Sequence, residues 1–376
     1  MDARPRARGR DSSVSANVVV IPGDGIGPEV AAVAEDVLQQ VCSHAGVDLH
    51  VEHGLMGGRA IDETGSPLPD ETRDACLRAD AVLFGALGGP KWDHLRGDQR
   101  PEQGLMRLRK AMDVFANLRP VRVHPRLADR TPLRRDVVEG TDLIIVRELT
   151  SGAYFGTPRE RSGTGDAETA RDSIVYTAAE VERVARVAFE LARTRRRKLT
   201  SVDKANVLIS SQLWRDTVNR IASDYPEVEL EHQLVDSFAM HLVQRPRDLD
   251  VVVTENLFGD ILSDEAGVLA GSLGLLPSAS LGASGAGLYE PIHGSAPDIA
   301  GRGLANPYGA ILSAALLLRH SLLRDDLARV IEHAVDDCIS EDFLTPDLGG
   351  AHGTEAIGGA VLREISRQLD AVGARS

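Results

Sequence analysis

Lysine, cysteine and long apolar runs are all scarce in this sequence, and each shortage excludes something. The three cysteines, Cys42, Cys76 and Cys338, are odd in number and far apart, with no CxxC pair. That excludes a disulfide framework and a Cys/His zinc site, and suits a reduced, cytoplasmic setting. The pair His50 and His53 lacks the HExxH spacing, so no zinc centre is expected there either. The longest apolar stretch, residues 310–318, is far shorter than the ~20 residues of a membrane span. Positive charge is also in deficit: 42 Lys+Arg stand against 56 Asp+Glu, for a formal net charge of −14. Nucleic acid and anionic membrane are therefore poor partners. Only Lys91, Lys110, Lys198 and Lys204 are lysines. A GC-rich genome accounts for that bias, yet a lysine inside a polar motif stands out.

What is present points to an α/β protein. The 376 residues suggest about two domains. The first 15 carry Arg4, Arg6, Arg8 and Arg10 without an apolar run, and read as a disordered tail rather than a leader. Short apolar runs at 17–21, 81–84, 143–146 and 251–254 suit strands buried on both faces. Residues 178–193 and 311–323 have helical character, and strand–helix alternation indicates a parallel or mixed sheet. The polar stretch 157–172 reads as a loop or projecting arm, and the Gly-rich 281–287 as a separator of two helical regions.

Strand one runs into Gly23-Asp24-Gly25-Ile26-Gly27-Pro28. The spacing fails the GxGxxG dinucleotide fingerprint, because Pro28 stands where the third small residue belongs. A tight structural turn and an anion-binding loop both remain open, the turn being the stronger reading. Residues 102–116 read as a helix bearing Arg109, with Arg119 just past its end and Arg147 at the mouth of a buried strand. Three guanidinium groups can hold a dicarboxylic acid, although each could instead pair with a local acid. Leu105 and Met106 share the helix face of Arg109, as core or as a pocket for a hydrocarbon branch.

Asp260 and Asp264 are four residues apart near an expected helix N-terminus. They repel unless a cation or the helix dipole offsets their charge. With Asp236 they could hold Mg²⁺ or Mn²⁺ through oxygen alone. Lys204 and Tyr154 are candidate proton carriers, and each alone is as easily structural.

Nine ordered motifs lie between residues 22 and 307, within a match that covers about residues 17–366, among them PGDGIGPEV (22–30), LMRLRK (105–110), SVDKANV (201–207), FGDILSDEA (258–266) and EPIHGSAPDIAGRGLANP (290–307). Together they resemble the isocitrate/isopropylmalate dehydrogenase family of metal-dependent β-decarboxylating dehydrogenases. The resemblance implies a two-domain open mixed α/β sheet, not a Rossmann fold. A cofactor-side domain would comprise 16–114 plus 271–370. A substrate and dimerisation domain would comprise 115–270, with an arm near 155–175. It implies that Arg109, Arg119 and Arg147 bind the substrate carboxylates, Leu105 and Met106 its isopropyl branch, and Asp236, Asp260 and Asp264 the metal. Lys204 would take the hydroxyl proton, and Tyr154 would return one to carbon, its acidity tuned by a cation such as Lys204. NAD would be held by Gly89, Glu102, His293, Gly294, Ser295, Ala296, Pro297, Asp298, Ile299 and Asn306. Acidic Asp298 would repel the 2′-phosphate of NADP. The partner would be a second copy of the chain, with Lys204 and Asp236 reaching across. Ser151 and Ala153 stand where the family often carries Gly and Ile. Tartrate, malate, homoisocitrate or isocitrate as substrate, a non-catalytic regulatory subunit and a phosphotransferase are the rivals. The intact set of Tyr154, Lys204 and the three aspartates speaks against a regulatory subunit, and a phosphotransferase would leave Arg109, Arg119, Arg147 and the apolar patch without a purpose.

Overall fold

The computed structural model describes residues 15–283 and 285–373. The expected tail falls outside them except for Ser15, which opens the first strand. In chain order the first elements are β1 (Ser15–Gly23), α1 (Gly27–His44), β2 (Asp48–His53), α2 (Gly58–Thr64), α3 (Asp70–Arg78) and β3 (Ala81–Ala86). Next come α4 (Pro101–Ala111), β4 (Val114–Arg122), α5 (Arg135–Val138), β5 (Asp142–Glu148), β6 (Glu160–Ser162) and β7 (Thr169–Arg171). Then follow α6 (Ala178–Thr194), β8 (Lys198–Asp203), α7 (Ile209–Ala222), β9 (Glu229–Leu234), α8 (Val235–Gln244), β10 (Val251–Thr254) and α9 (Asn256–Ala270). The chain closes with β11 (Pro277–Gly282), β12 (Gly287–Pro291), α10 (Tyr308–His320), α11 (Asp325–Ser340) and α12 (Thr354–Gly373).

One ten-stranded sheet runs in the order β2-β1-β3-β12-β11-β4-β5-β10-β8-β9. It is mixed: β11 is antiparallel to both β12 and β4, and β4 to β5, while the pairs flanking this centre are parallel. Alternation explains the double covering. Val18 and Val20 of β1 join the core beneath α1, α10, α11 and α12, while Val19 and Ile21 join a second core with Met56, Cys76 and Leu108. The α6 helix starts at a capping box between Thr177 and Glu180, and buries Val181, Val184, Ala185, Ala188 and Ala192. Residues 157–172 are exposed throughout and carry the small β6–β7 hairpin. The three cysteines are free and buried. No helix among the described residues is long and apolar enough to cross a membrane.

Two local expectations need correction. The helix expected over 102–116 ends at Ala111. Asp113 takes φ +49, which breaks the helix, and Val114 starts β4, so Arg119 lies inside a central strand. The Gly-rich 281–287 segment joins β11 to β12 rather than two helices. The residues on either side of it pair as antiparallel strands, which local composition alone does not reveal.

The glycine loop is a structural turn. Asp24 is buried, accepting from Gly58 N at 2.8 Å, Arg59 N at 2.9 Å and Gly88 N at 2.8 Å. Gly25, at φ +60, lies so close to Ser295 that a Cβ there would come within 2.0 Å of its carbonyl oxygen. The loop therefore braces the 293–299 segment, and Ile26 N donates to Ser295 O at 2.8 Å.

Candidate active site

A polar stripe crosses the apolar sheet at its centre. Asn117 lies opposite Ser280 on one side and Arg147 on the other, and Arg119, two residues on, faces the same way. The α9 helix covers this stripe. It can approach because residue 259 is glycine: a Cβ there would sit 2.7 Å from Arg147 Cγ.

Buried arginines need fixed partners. Arg119 donates from Nε to Asn117 Oδ1 at 2.7 Å and from Nη1 to Ser263 Oγ. Arg147 donates to Asn256 Oδ1 from Nε at 3.1 Å and from Nη2 at 2.7 Å, and its Nη1 pairs with Asp260. Arg109 pairs with Glu290 at 2.8 Å. Burial, then repulsion from Arg147, lowers Arg119 to about 10, still charged at neutral pH. Burial raises the Asp260 carboxyl, but Arg147, Arg119 and the Tyr154 hydroxyl together hold it below the ordinary value. Tyr154 is pushed up to about 12 by burial and by its hydrogen bond to Asp260.

These groups line one cleft of about 650 Å³. Arg109, Arg119, Arg147, Tyr154 and Asp260 form its polar wall, and Leu105, Met106 and Leu87 its apolar one. Glu102, His293 and Gly294 edge the other end. Two buried nitrogens of cleft residues, Arg109 Nε and His293 Nε2, have no hydrogen-bond partner among the described residues. Such orphans suit a site built to receive a polar ligand. Burial keeps His293 neutral by lowering its pKa.

Beyond the cleft, Ser295, Ala296, Pro297, Asp298 and Ile299 continue the loop, with Ile299 N closing a turn on Ala296 O at 3.1 Å. Asp298 is exposed, and Arg302 Nη1 donates to its carbonyl oxygen at 3.5 Å. Asn306 is buried, with its amide spent on Asp347 (3.0 Å) and on Tyr308 N (3.0 Å). Gly89 abuts Trp92 rather than the cleft.

Other residues stand apart. Asp264 reaches Arg119 at 3.6 Å but is largely exposed. Asp260 and Asp264 lie in the second and third turns of α9, not at its N-terminus, so the helix dipole does not account for them. Lys204 pairs with Asp236, whose carboxyl it lowers, and neither lines the cleft. Within one chain, Tyr154 has Asp260 and Arg147 beside it and Lys204 stands apart. Oxygen donors on Asp260 and Asp264 fit a hard divalent cation, but no group of three or more metal-ligating side chains forms among the described residues of one chain. The sequence reading missed Glu290, Asn117, Ser263 and Asn256, which hold the arginines. Asn117 was findable, because period-two spacing puts it on the face of Arg119.

Residues 17–361 match the family described as isocitrate/isopropylmalate dehydrogenase. A protein of Halalkalibacterium halodurans named 3-isopropylmalate dehydrogenase is 54% identical over 357 residues, covering 94% of this chain and 98% of its own. One of Anaeromyxobacter dehalogenans with the same name is 55% identical over 353 residues, covering 94% and 100%. The crystal structure of isocitrate dehydrogenase from Methylococcus capsulatus shares the fold at a TM-score of 0.83 and 35% identity, covering 93% of this chain and 99% of that one. With the open mixed sheet and the arginine-lined cleft, these matches place the chain in the isocitrate/isopropylmalate dehydrogenase family.

Proposed function

We propose that the chain catalyses oxidative decarboxylation of (2R,3S)-3-isopropylmalate to 4-methyl-2-oxopentanoate and CO2, with reduction of NAD, in leucine biosynthesis. The observation that carries this reading is the placement of Arg109, Arg119 and Arg147 beside Leu105 and Met106 in one cleft. The guanidinium groups bind the two carboxylates, and the apolar wall buries the isopropyl branch at about 0.8 kcal/mol per CH2. Isocitrate would need a polar contact for a third carboxylate where Leu105 and Met106 stand.

Asp260 and Asp264 of one chain, with Asp236 of a second copy, would hold Mg²⁺ or Mn²⁺. NAD would lie along 293–299, with Glu102 and Gly89 nearby and Asp298 accepting from the ribose hydroxyls. Bound NAD supplies the hydride acceptor and the cation the Lewis acidity that these side chains lack. Lys204 accepts the substrate hydroxyl proton, and Tyr154 protonates the carbon that loses CO2. The 16–114 and 271–370 segments form the cofactor-side domain, which also brings Leu105, Met106 and Arg109 to the substrate, and 115–270 forms the substrate and dimerisation domain.

The working unit is a homodimer. Val207, Ile209, Met240 and Ile261 are each more than half exposed, on the Lys204 loop, at the start of α7, and on the helices that carry Asp236 and Asp260. A second copy covering that surface would bring Lys204 and Asp236 to the cleft of its neighbour. Buried free thiols suit the cytoplasm.

The test is an NADH-forming assay with Mn²⁺ and NAD, given 3-isopropylmalate, isocitrate, homoisocitrate and tartrate in parallel. Turnover is expected with the first far above the others. Absence of NADH with 3-isopropylmalate would overturn the assignment.

A further inference from the structure

We propose that Asn256 is a positioning residue that fixes Arg147 and the Tyr154 loop in one geometry. The proposal rests on the reading of Arg147 as a ligand of the substrate carboxylate.

Asn256 is the first residue of α9 and is fully buried. Its Oδ1 accepts from Arg147 Nε at 3.1 Å and Nη2 at 2.7 Å, occupying the side edge of the guanidinium fork. Arg147 is 2% exposed, so water would poorly replace a lost partner. With the side edge taken, the end of the fork points to Asp260, in the cleft wall. Asn256 Nδ2 donates to Ser151 O at 3.0 Å, three residues before Tyr154. Its backbone N–H donates to Tyr176 Oη at 2.9 Å, and that hydroxyl donates to Glu255 Oε2 at 3.1 Å. Glu255 in turn caps α9 by accepting from Phe258 N at 2.6 Å. One amide thus ties a substrate-binding cation, the loop of the proton donor and the start of the α9 helix.

Asparagine suits this place because it is neutral. A carboxylate would hold the same edge but cancel the charge that Arg147 offers the substrate. An apolar residue would leave Arg147 Nε and Ser151 O buried without partners.

Asn256→Ala and the isosteric Asn256→Asp are compared with Arg147→Lys and wild type, using the dimeric enzyme with saturating Mn²⁺. Both Asn256 variants should raise KM for the hydroxy acid by about tenfold or more, with KM for NAD changed less than about twofold. A merely structural role predicts that the isostere behaves like wild type and that both KM values move together. If Asn256→Ala does not fold, Asn256→Asp still reports, since it preserves volume and the acceptor. Normal acid KM in a folded Asn256 variant, while Arg147→Lys raises it, overturns this proposal alone. Normal acid KM in Arg147→Lys overturns it together with the assignment of Arg147.

Discussion

The Tyr154 hydroxyl donates to Asp260 Oδ2 at 2.6 Å while Arg147 holds the other oxygen of the same carboxylate. Burial and this bond push Tyr154 up to about 12, so the phenol keeps its proton at neutral pH. Removing that proton should slow turnover without weakening binding. Tyr154→Phe is expected to lower kcat by about 100-fold or more and leave acid KM within a few-fold. Steady-state kinetics check it, and an equal loss in kcat and gain in KM would point to a binding role instead.

Arg109 and Glu290 form the second such pair, at 2.8 Å with both side chains mostly buried. Removing one partner leaves a buried charge. Arg109→Ala should cost about 3 kcal/mol of folding stability as well as activity. The double variant Arg109→Ala/Glu290→Ala should regain most of the stability and none of the activity. Urea unfolding together with the NADH assay separates the two effects. Additive stability losses would show that the pair is uncoupled.

Much of this site could be read before folding, and the reasons are local. Arg147 follows directly on an apolar run, so a buried, partnered guanidinium was legible from four residues of sequence. Asp260 and Asp264 were legible as neighbours because helical spacing is fixed. Arg119 was found but misplaced, since the positive φ of Asp113 that stops α4 leaves no mark in composition. Glu290 and Asn256 were invisible as partners. They meet Arg109 and Arg147 across 181 and 109 residues of chain, through strand order rather than spacing. Asp236 shows the opposite limit: helix and strand patterns place it at the start of α8, and nothing in one chain brings it to Asp260.

On the proposed reading, selectivity is expected to lie in the apolar wall. Leu105 and Met106 line the cleft on the α4 face that carries Arg109. Cutting Leu105 to Ala should cost about 1–2 kcal/mol of kcat/KM toward 3-isopropylmalate, roughly tenfold, and almost nothing toward malate. A substrate series from malate through 3-methyl, 3-ethyl and 3-isopropyl homologues reads the slope. Parallel losses across the series would mean that Leu105 supports the helix rather than the branch.

His320 ends α10 beside Arg319. Burial, reinforced by Arg319, lowers it from 6.5 to about 4. The unfolded chain then binds a proton that the folded chain refuses. Stability is complete above pH ~6.5 and falls as pH drops toward 4, by roughly 3 kcal/mol in all. Denaturant unfolding at pH 7 and pH 5 should show the loss, and His320→Gln should flatten this part of it. A variant with the wild-type pH slope would remove His320 from the account.

Lys204 pairs with Asp236 away from the cleft, and this separation makes the shared site testable by mixing. Lys204→Met and Tyr154→Phe should each be nearly inactive alone. If each cleft takes Lys204 from the neighbouring copy, a mixed dimer has one cleft with both lesions and one with neither. Random reassortment makes half of the dimers mixed, so activity should return to about a quarter of wild type. Denaturing the two variants together and refolding them supplies the exchange, and separately refolded samples are the control. If both residues instead served the same chain's cleft, every cleft would keep one lesion and the mixture would stay inactive. Recovery that grows with the fraction of mixed dimers, resolved by a charge tag on one variant, would tie the activity to the interface itself.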